Sequence, residues 1–142
     1  MSVLYVDDWS RLFPDFSPAE VLSPGTIKYP HLIDFVFLSR LQEFRTKLGL
    51  PLAVNHDGHN HRGVRTPDEQ REIVKLHGGA MLSMHVCGKA ADISCPKMPP
   101  EKLFNEARLF GFRGLGLYDT FVHVDDRTLF SPVPVLWNNS SN

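Results

Sequence analysis

The chain has 142 residues, 42% of them apolar, and a formal net charge of −1: one domain's worth of ordinary globular sequence, long enough to bury a core. No run of Lys and Arg is dense enough to track a phosphate backbone, which argues against nucleic acid as a partner. The longest apolar stretch, Leu32 to Leu38, is interrupted by Asp34 and is too short to cross a bilayer.

At the N-terminus, Met-Ser-Val-Leu-Tyr-Val-Asp-Asp has no basic region, apolar core or small-residue cleavage site. The expectation is a protein made in the cytoplasm without a signal peptide. Ser17-Pro18-Ala19-Glu20 has capping-box spacing with Pro at the first helical position, and a short helix is predicted there. Leu38, Leu41, Phe44 and Leu48 recur at steps of three or four within a segment from about His31, which predicts an amphipathic helix stopped by Gly49. Leu52 to Val54 read as a buried strand leading into the polar loop Asn55–Gly63. Thr66-Pro67-Asp68-Glu69 is a second capping box, opening a helix to about His77 that ends at Gly78-Gly79. Residues 82–86 and 90–94 read as two short strands around Gly88. Pro100 opens a helix with Leu103, Phe104, Ala107 and Phe110 on its inner face and Gly111 as its stop. Gly114 to Tyr118 and Phe121 to Asp125 read as a strand pair. The two cysteines, Cys87 and Cys95, are read as reduced thiols, with a hairpin disulfide as the alternative. Residues 131–142 are rich in Pro, Asn and Ser and are expected to form a loosely attached tail on a domain spanning 1–130. Interspersed helices and short strand links point to an α+β fold with a small, mainly antiparallel sheet.

Three segments place polar residues where a strand reader expects core: Ser83 to Ile93, Phe121 to Asp125, and Gly63 to Pro67. Side chains alternate along a strand, so His123 and Asp125 share one face while Val122 and Val124 take the other. His85 and Asp92, on short strands turned at Gly88, could both point to one spot beside His123. Two imidazoles and a carboxylate suit a catalytic zinc whose fourth position is taken by water. The competing reading of each histidine is a hydrogen-bonded core or surface residue.

Ser83-Met-His85-Val-Cys-Gly88-Lys-Ala90-Ala-Asp92-Ile93 resembles the S-x-H-x-x-G-x-A-x-D-I signature of the D-alanyl-D-alanine carboxypeptidase-like zinc peptidases, peptidase family M15. Gly114-Leu-Gly-Leu-Tyr118, then Phe121-Val-His-Val-Asp125 and Arg127, resembles the closing motif of one branch, and Gly63-Val-Arg65-Thr-Pro67 is similar to its G-Y-R-S-P segment. Leu41-Gln-Glu-Phe-Arg45 and Gly49-Leu-Pro51 match that branch's helix running into its first core strand. The resemblance spans roughly residues 16 to 127. It implies a single compact domain with one zinc ion, Zn2+, held by His85, Asp92 and His123 in a cleft on the sheet. It further implies hydrolysis of cell-wall peptides containing D-amino acids, as a carboxypeptidase or an endopeptidase, several such enzymes being phage endolysins. Arg65 would face the cleft, pairing with a substrate carboxylate or the tetrahedral oxyanion; the alternative is a structural arginine tying its loop to the next helix.

Many relatives carry Glu or Asp three residues before the last zinc ligand as general base, and here that position is Thr120. Asp119 is one residue off, on the opposite strand face unless a turn at Asp119-Thr120 redirects it. Asp125 is therefore ranked first as the base, with orientation of His123 as its other possible role. His56, His59 and His61 could contact substrate, supply the base or bind a second metal; otherwise they form a solvated loop. His31 and His77 are expected at the surface. The leading expectation is a peptidoglycan peptidase acting on the cell wall, with phage lysis or virion proteins as partners. The alternative is a non-catalytic zinc-binding structural or wall-binding module, for example in a phage tail; a zinc-free interaction domain would need the three ligands to point apart.

Overall fold

The computed structural model describes residues 6–27, 33–54, 63–78, 83–127 and 133–141. The helix α1 (Val6–Leu12) has no capping signal in the sequence and is anchored by Trp9, whose indole N–H donates to Phe16 O. The short helix α2 (Pro18–Val21) begins at the expected proline, although the Ser17 side chain makes no cap hydrogen bond. In α3 (Phe35–Leu48), Asp34 accepts from Phe37 N–H, and Gly49 closes the C-terminus in the left-handed region. The capping box of α4 (Pro67–His77) forms as its sequence predicts, with Thr66 and Glu69 each accepting from the other's backbone N–H. The last helix, α5 (Pro100–Phe110), stops at Gly111.

The strands β1 (Ala53–Val54), β2 (Ala90–Ser94), β3 (Gly114–Leu117), β4 (Val122–Asp125) and β5 (Val135–Asn138) form a single sheet in the order β1-β2-β4-β3-β5. Every neighbouring pair is antiparallel except β3 and β5, which run parallel. The fold is α+β, as expected. One sheet face carries Val54, Ala91, Ile93, Leu115, Leu117, Val122 and Val124 into the core, against Phe37, Leu38, Leu41 and Phe44 of α3 and Leu103 and Ala107 of α5. The opposite face carries the polar residues, so the two-residue period of the strands separates core from cleft.

Two expectations are corrected. Residues 83–88 form a turn and not a strand. Ser83 O accepts from both Val86 and Cys87 N–H, Gly88 N–H returns to His85 O, and Gly88 adopts φ 72°. A short polar side chain at Ser83, accepting from His85 N–H, and a left-handed glycine curl the segment before a strand can form. The C-terminal tail is also not loose along its whole length. Val135 N–H donates to Arg113 O and Asn139 N–H to Leu117 O, docking β5 on β3. Its Pro- and Asn-rich flanks conceal a strand whose partner lies far back in the chain. His31, His56, His59 and His61 lie outside the described residues, as does the side chain of His77.

Candidate metal centre

The β2–β4 register sets Asp92 directly across from His123. Because the two residues share a strand face, their side chains meet without any loop to guide them. His85 arrives from the 83–88 turn, held by a backbone strut. Its Nδ1 lies 2.7 Å from Gly63 O, and its own carbonyl accepts from Arg65 N–H at 3.1 Å. Gly63 is there for space, since a Cβ on it would sit 1.9 Å from Val21 O. Lys89 and Asp34 then tie the far end of the turn to the start of α3 at 2.5 Å.

The outcome is a nearly equilateral triangle of donor atoms. His85 Nε2 lies 3.2 Å from His123 Nδ1 and 3.3 Å from Asp92 Oδ1, and His123 Nδ1 lies 3.2 Å from Asp92 Oδ1. Tetrahedral coordination with bonds of about 2.0 Å separates ligand atoms by about 3.3 Å. All three residues are buried.

The hydrogen bonds behind the triangle fix which ring nitrogens face it. A carbonyl only accepts, so His85 carries its hydrogen on Nδ1 toward Gly63 O, leaving the Nε2 lone pair pointing inward. Asp125 Oδ2 lies 2.7 Å from His123 Nε2, which sets that N–H outward and the Nδ1 lone pair inward. With both imidazoles neutral, three lone pairs converge and repel one another, and a cation or a proton among them turns that repulsion into attraction. The donor set therefore fits a zinc ion.

The electrostatics agree. Burial would raise Asp92, but the neighbouring His85 and His123 outweigh it and hold the carboxyl far below the usual range. Burial keeps His85 below the ordinary histidine value, with Arg65 and His123 adding to the effect. Burial acts on His123 in the same sense, yet the hydrogen bonds to Asp125 and Asp92 win and raise it. A proton and a metal ion thus compete for Nδ1 of His123.

Arg65 sits behind Asp92. Its NH2 is 3.6 Å from Asp92 Oδ2, and its NH1 donates at 2.9 Å to the buried Gln70 on α4. The bond to Gln70 ties the loop to α4, and the ion pair places the guanidinium beside a candidate metal ligand. Asp125 sits behind His123, fully buried. Arg127 donates to both of its oxygens, at 2.9 and 2.5 Å. A carboxylate on the far side of the imidazole, already engaged by Arg127, is placed to orient His123, and the general-base expectation for Asp125 fits this geometry poorly. Asp119 lies in a bend, exposed, and accepts from Ser141 N–H and Oγ at 2.7 Å each. Cys87 and Cys95 are free thiols.

Two features of the site escape a reading by residue type. Gly114 and Gly116 alternate on β3 because the cleft face there is already filled. A Cβ on Gly114 would lie 2.2 Å from the Asp125 carboxylate oxygens, and one on Gly116 would lie 2.4 Å from the Trp137 ring. Glycine at every second position, beside a strand that alternates valine with His and Asp, is the signal that could have found this. Trp137 itself comes from the segment expected to be loose.

Comparison with curated proteins and with solved structures finds no match. The profile of peptidase M15 matches residues 21–125, well over half of the chain and inclusive of Arg65, His85, Asp92, His123 and Asp125. The chain therefore belongs to peptidase family M15, a family of zinc-dependent peptidases.

Proposed function

We propose that this chain hydrolyses a peptide bond in the stem or cross-link peptides of bacterial peptidoglycan, with His85, Asp92 and His123 holding zinc. The observation that carries the reading is the donor triangle, its lone pairs turned inward by Gly63 O and Asp125. With zinc bound, the site would have Lewis-acid polarisation of the scissile carbonyl and activation of water at neutral pH available to it. The chain's own residues do the positioning. Asp125 and Gly63 O fix the two rings, and Arg65 steadies Asp92 through its outer oxygen. Two buried carboxylates, Asp92 and Asp125, are balanced by the guanidiniums of Arg65 and Arg127, so a bound divalent ion would leave the cleft net positive. Such a cleft favours a carboxylate-bearing peptide and a developing oxyanion. The preference for D-amino-acid peptides rests on the likeness of residues 83–93 and 114–127 to the D-alanyl-D-alanine carboxypeptidase-like enzymes, and phage-type release is the route to the wall that accompanies it.

One observation favours a second reading, a zinc-binding module without catalysis. Among the described residues, Thr120 stands where relatives carry an acid, Asp119 is bound by Ser141, and Asp125 lies behind His123. Measuring zinc in the purified protein and in His85→Ala, beside release of soluble fragments from purified peptidoglycan, separates the two. Near-stoichiometric zinc with zinc-dependent release establishes the hydrolase. Zinc without release from any wall type leaves the binding module, and no zinc after reconstitution removes both.

A further inference from the structure

The strand β5 (Val135–Asn138) lies beyond the segment that the family profile matches, yet it reaches the candidate metal centre. Register alone brings it there. Trp137 pairs with Gly116 on β3, Gly116 with His123 on β4, and His123 with Asp92 on β2, so the four residues form one row across the cleft face. Gly116 is the gap in that row, and the indole occupies it.

We propose that Trp137 is a positioning residue of the metal centre, its indole closing over His123 and keeping the His123–Asp125–Arg127 hydrogen-bond chain dry and in line. The proposal rests on the reading that His85, Asp92 and His123 hold the metal. The indole and His123 ring centroids are 5.0 Å apart at 46°. The Arg127 guanidinium carbon lies 5.3 Å from the indole centroid, so a single ring touches both ends of the chain that sets the His123 tautomer. The indole is itself held in rotation. Its N–H donates to Tyr118 Oη at 3.1 Å, and Tyr118 stacks on Phe121 with centroids 4.4 Å apart. An apolar cover lowers the local dielectric, which strengthens the charge-assisted bonds of Asp125 and keeps water from replacing either partner. With the ring removed, water reaches Asp125 and His123 gains freedom to turn its lone pair away from the triangle.

The test uses the purified full chain, with zinc affinity read by competition against a chromogenic chelator. Trp137→Ala is expected to weaken zinc binding by about tenfold or more, the effect typical of losing a group that orients a ligand. Trp137→Phe keeps an aromatic cover and should restore affinity to within about threefold of wild type, on the same outer-shell scale. Leu136→Ala is the control, since Leu136 is on the same strand, on the opposite sheet face and 45% exposed. It should leave affinity unchanged whatever it does to the melting temperature of the metal-free protein. Zinc binding in Trp137→Ala within twofold of wild type overturns the proposal, and so does an equal loss in Leu136→Ala, which would mean that β5 acts only through sheet stability. If Trp137→Ala does not fold, Trp137→Leu is judged by the same criteria. A wild-type protein that takes up no zinc removes the metal centre itself, whereas tight zinc in wild type and Trp137→Ala alike removes only the role of Trp137.

Discussion

The donor triangle has two halves that are built differently. Asp92 and His123 belong to paired strands, and their meeting follows from the register Asp92↔His123, with Asp125 on the same face two residues on. His85 belongs to a turn, and its position depends on partners from elsewhere in the chain: Gly63 O on its ring, Arg65 N–H on its carbonyl, and Asp34 on the Gly88–Lys89 end. In the sheet half, many backbone bonds share the work of placing two side chains. In the turn half, a few bonds place one, and the bond to its ring depends on the close backbone approach at Gly63. The sheet half should therefore withstand local damage, while the turn half should lose its geometry when a single strut moves.

The largest effect expected is loss of the metal itself. His85→Ala and His123→Ala should each take zinc, measured by elemental analysis, from near-stoichiometric to background, because two ligands do not make a structural or catalytic zinc site. Retention of full zinc by either variant would break the triangle.

Gly63→Ala strikes the turn half alone. Its Cβ would meet Val21 O at 1.9 Å, and a backbone carbonyl cannot swing aside as a side chain does. A destabilisation near the upper end of the overpacking range, about 3 kcal/mol in a denaturant melt, should come with reduced zinc affinity. If affinity is unchanged, His85 does not depend on the strut and the contrast between the halves falls away.

Asp125→Asn probes the sheet half more gently. The side chain keeps its shape but loses its charge toward His123 and Arg127, and zinc affinity should fall by about tenfold or more with the fold intact. Unchanged affinity with lost hydrolysis would instead return Asp125 to the general-base role.

The smallest effect is on the link between the turn and α3. Burial raises the Asp34 carboxyl, but the hydrogen bond from Lys89 and those from the N–H groups of Phe37 and Val36 outweigh it, and its pKa is lowered. A depressed carboxylate contributes stability above its unfolded pKa of about 3.9, and that contribution is lost as pH falls through the lower folded value. Asp34→Asn keeps a capping oxygen for Phe37 N–H but loses the charge facing Lys89, so it should cost about 1 kcal/mol or less at neutral pH and should flatten the decline in stability below about pH 4. An acid limb identical to wild type would detach Asp34 from the turn's stability.

Much of the site was legible in the sequence because its signals are local. The Val122–Asp125 alternation assigns His123 to the cleft face from the two-residue period alone, and the Thr66-Pro67-Asp68-Glu69 box fixes the start of α4 from hydrogen bonds within one turn. Resemblance added His85 and Asp92 as a set, and the structure brings both to His123. The strand that alternation predicts at 82–86 is a turn in the structure, because alternation counts residue types and is blind to a serine that accepts from the backbone two residues on. Face and spacing rank Asp125 as a base but do not tell which side of an imidazole a carboxylate occupies, and the structure puts it behind His123.

What the sequence determined by itself is the donor chemistry, the element types that strong local signals announce, and the division of each strand into core and cleft faces. Only the tertiary structure decided which ring nitrogens face the triangle, why β3 must alternate glycine, and that β5 completes the row at Trp137. Those features depend on contacts between residues far apart in the chain, such as Gly63 with His85 and Gly116 with Trp137. Their partners are chosen by register and close packing, quantities that exist only once the chain has folded.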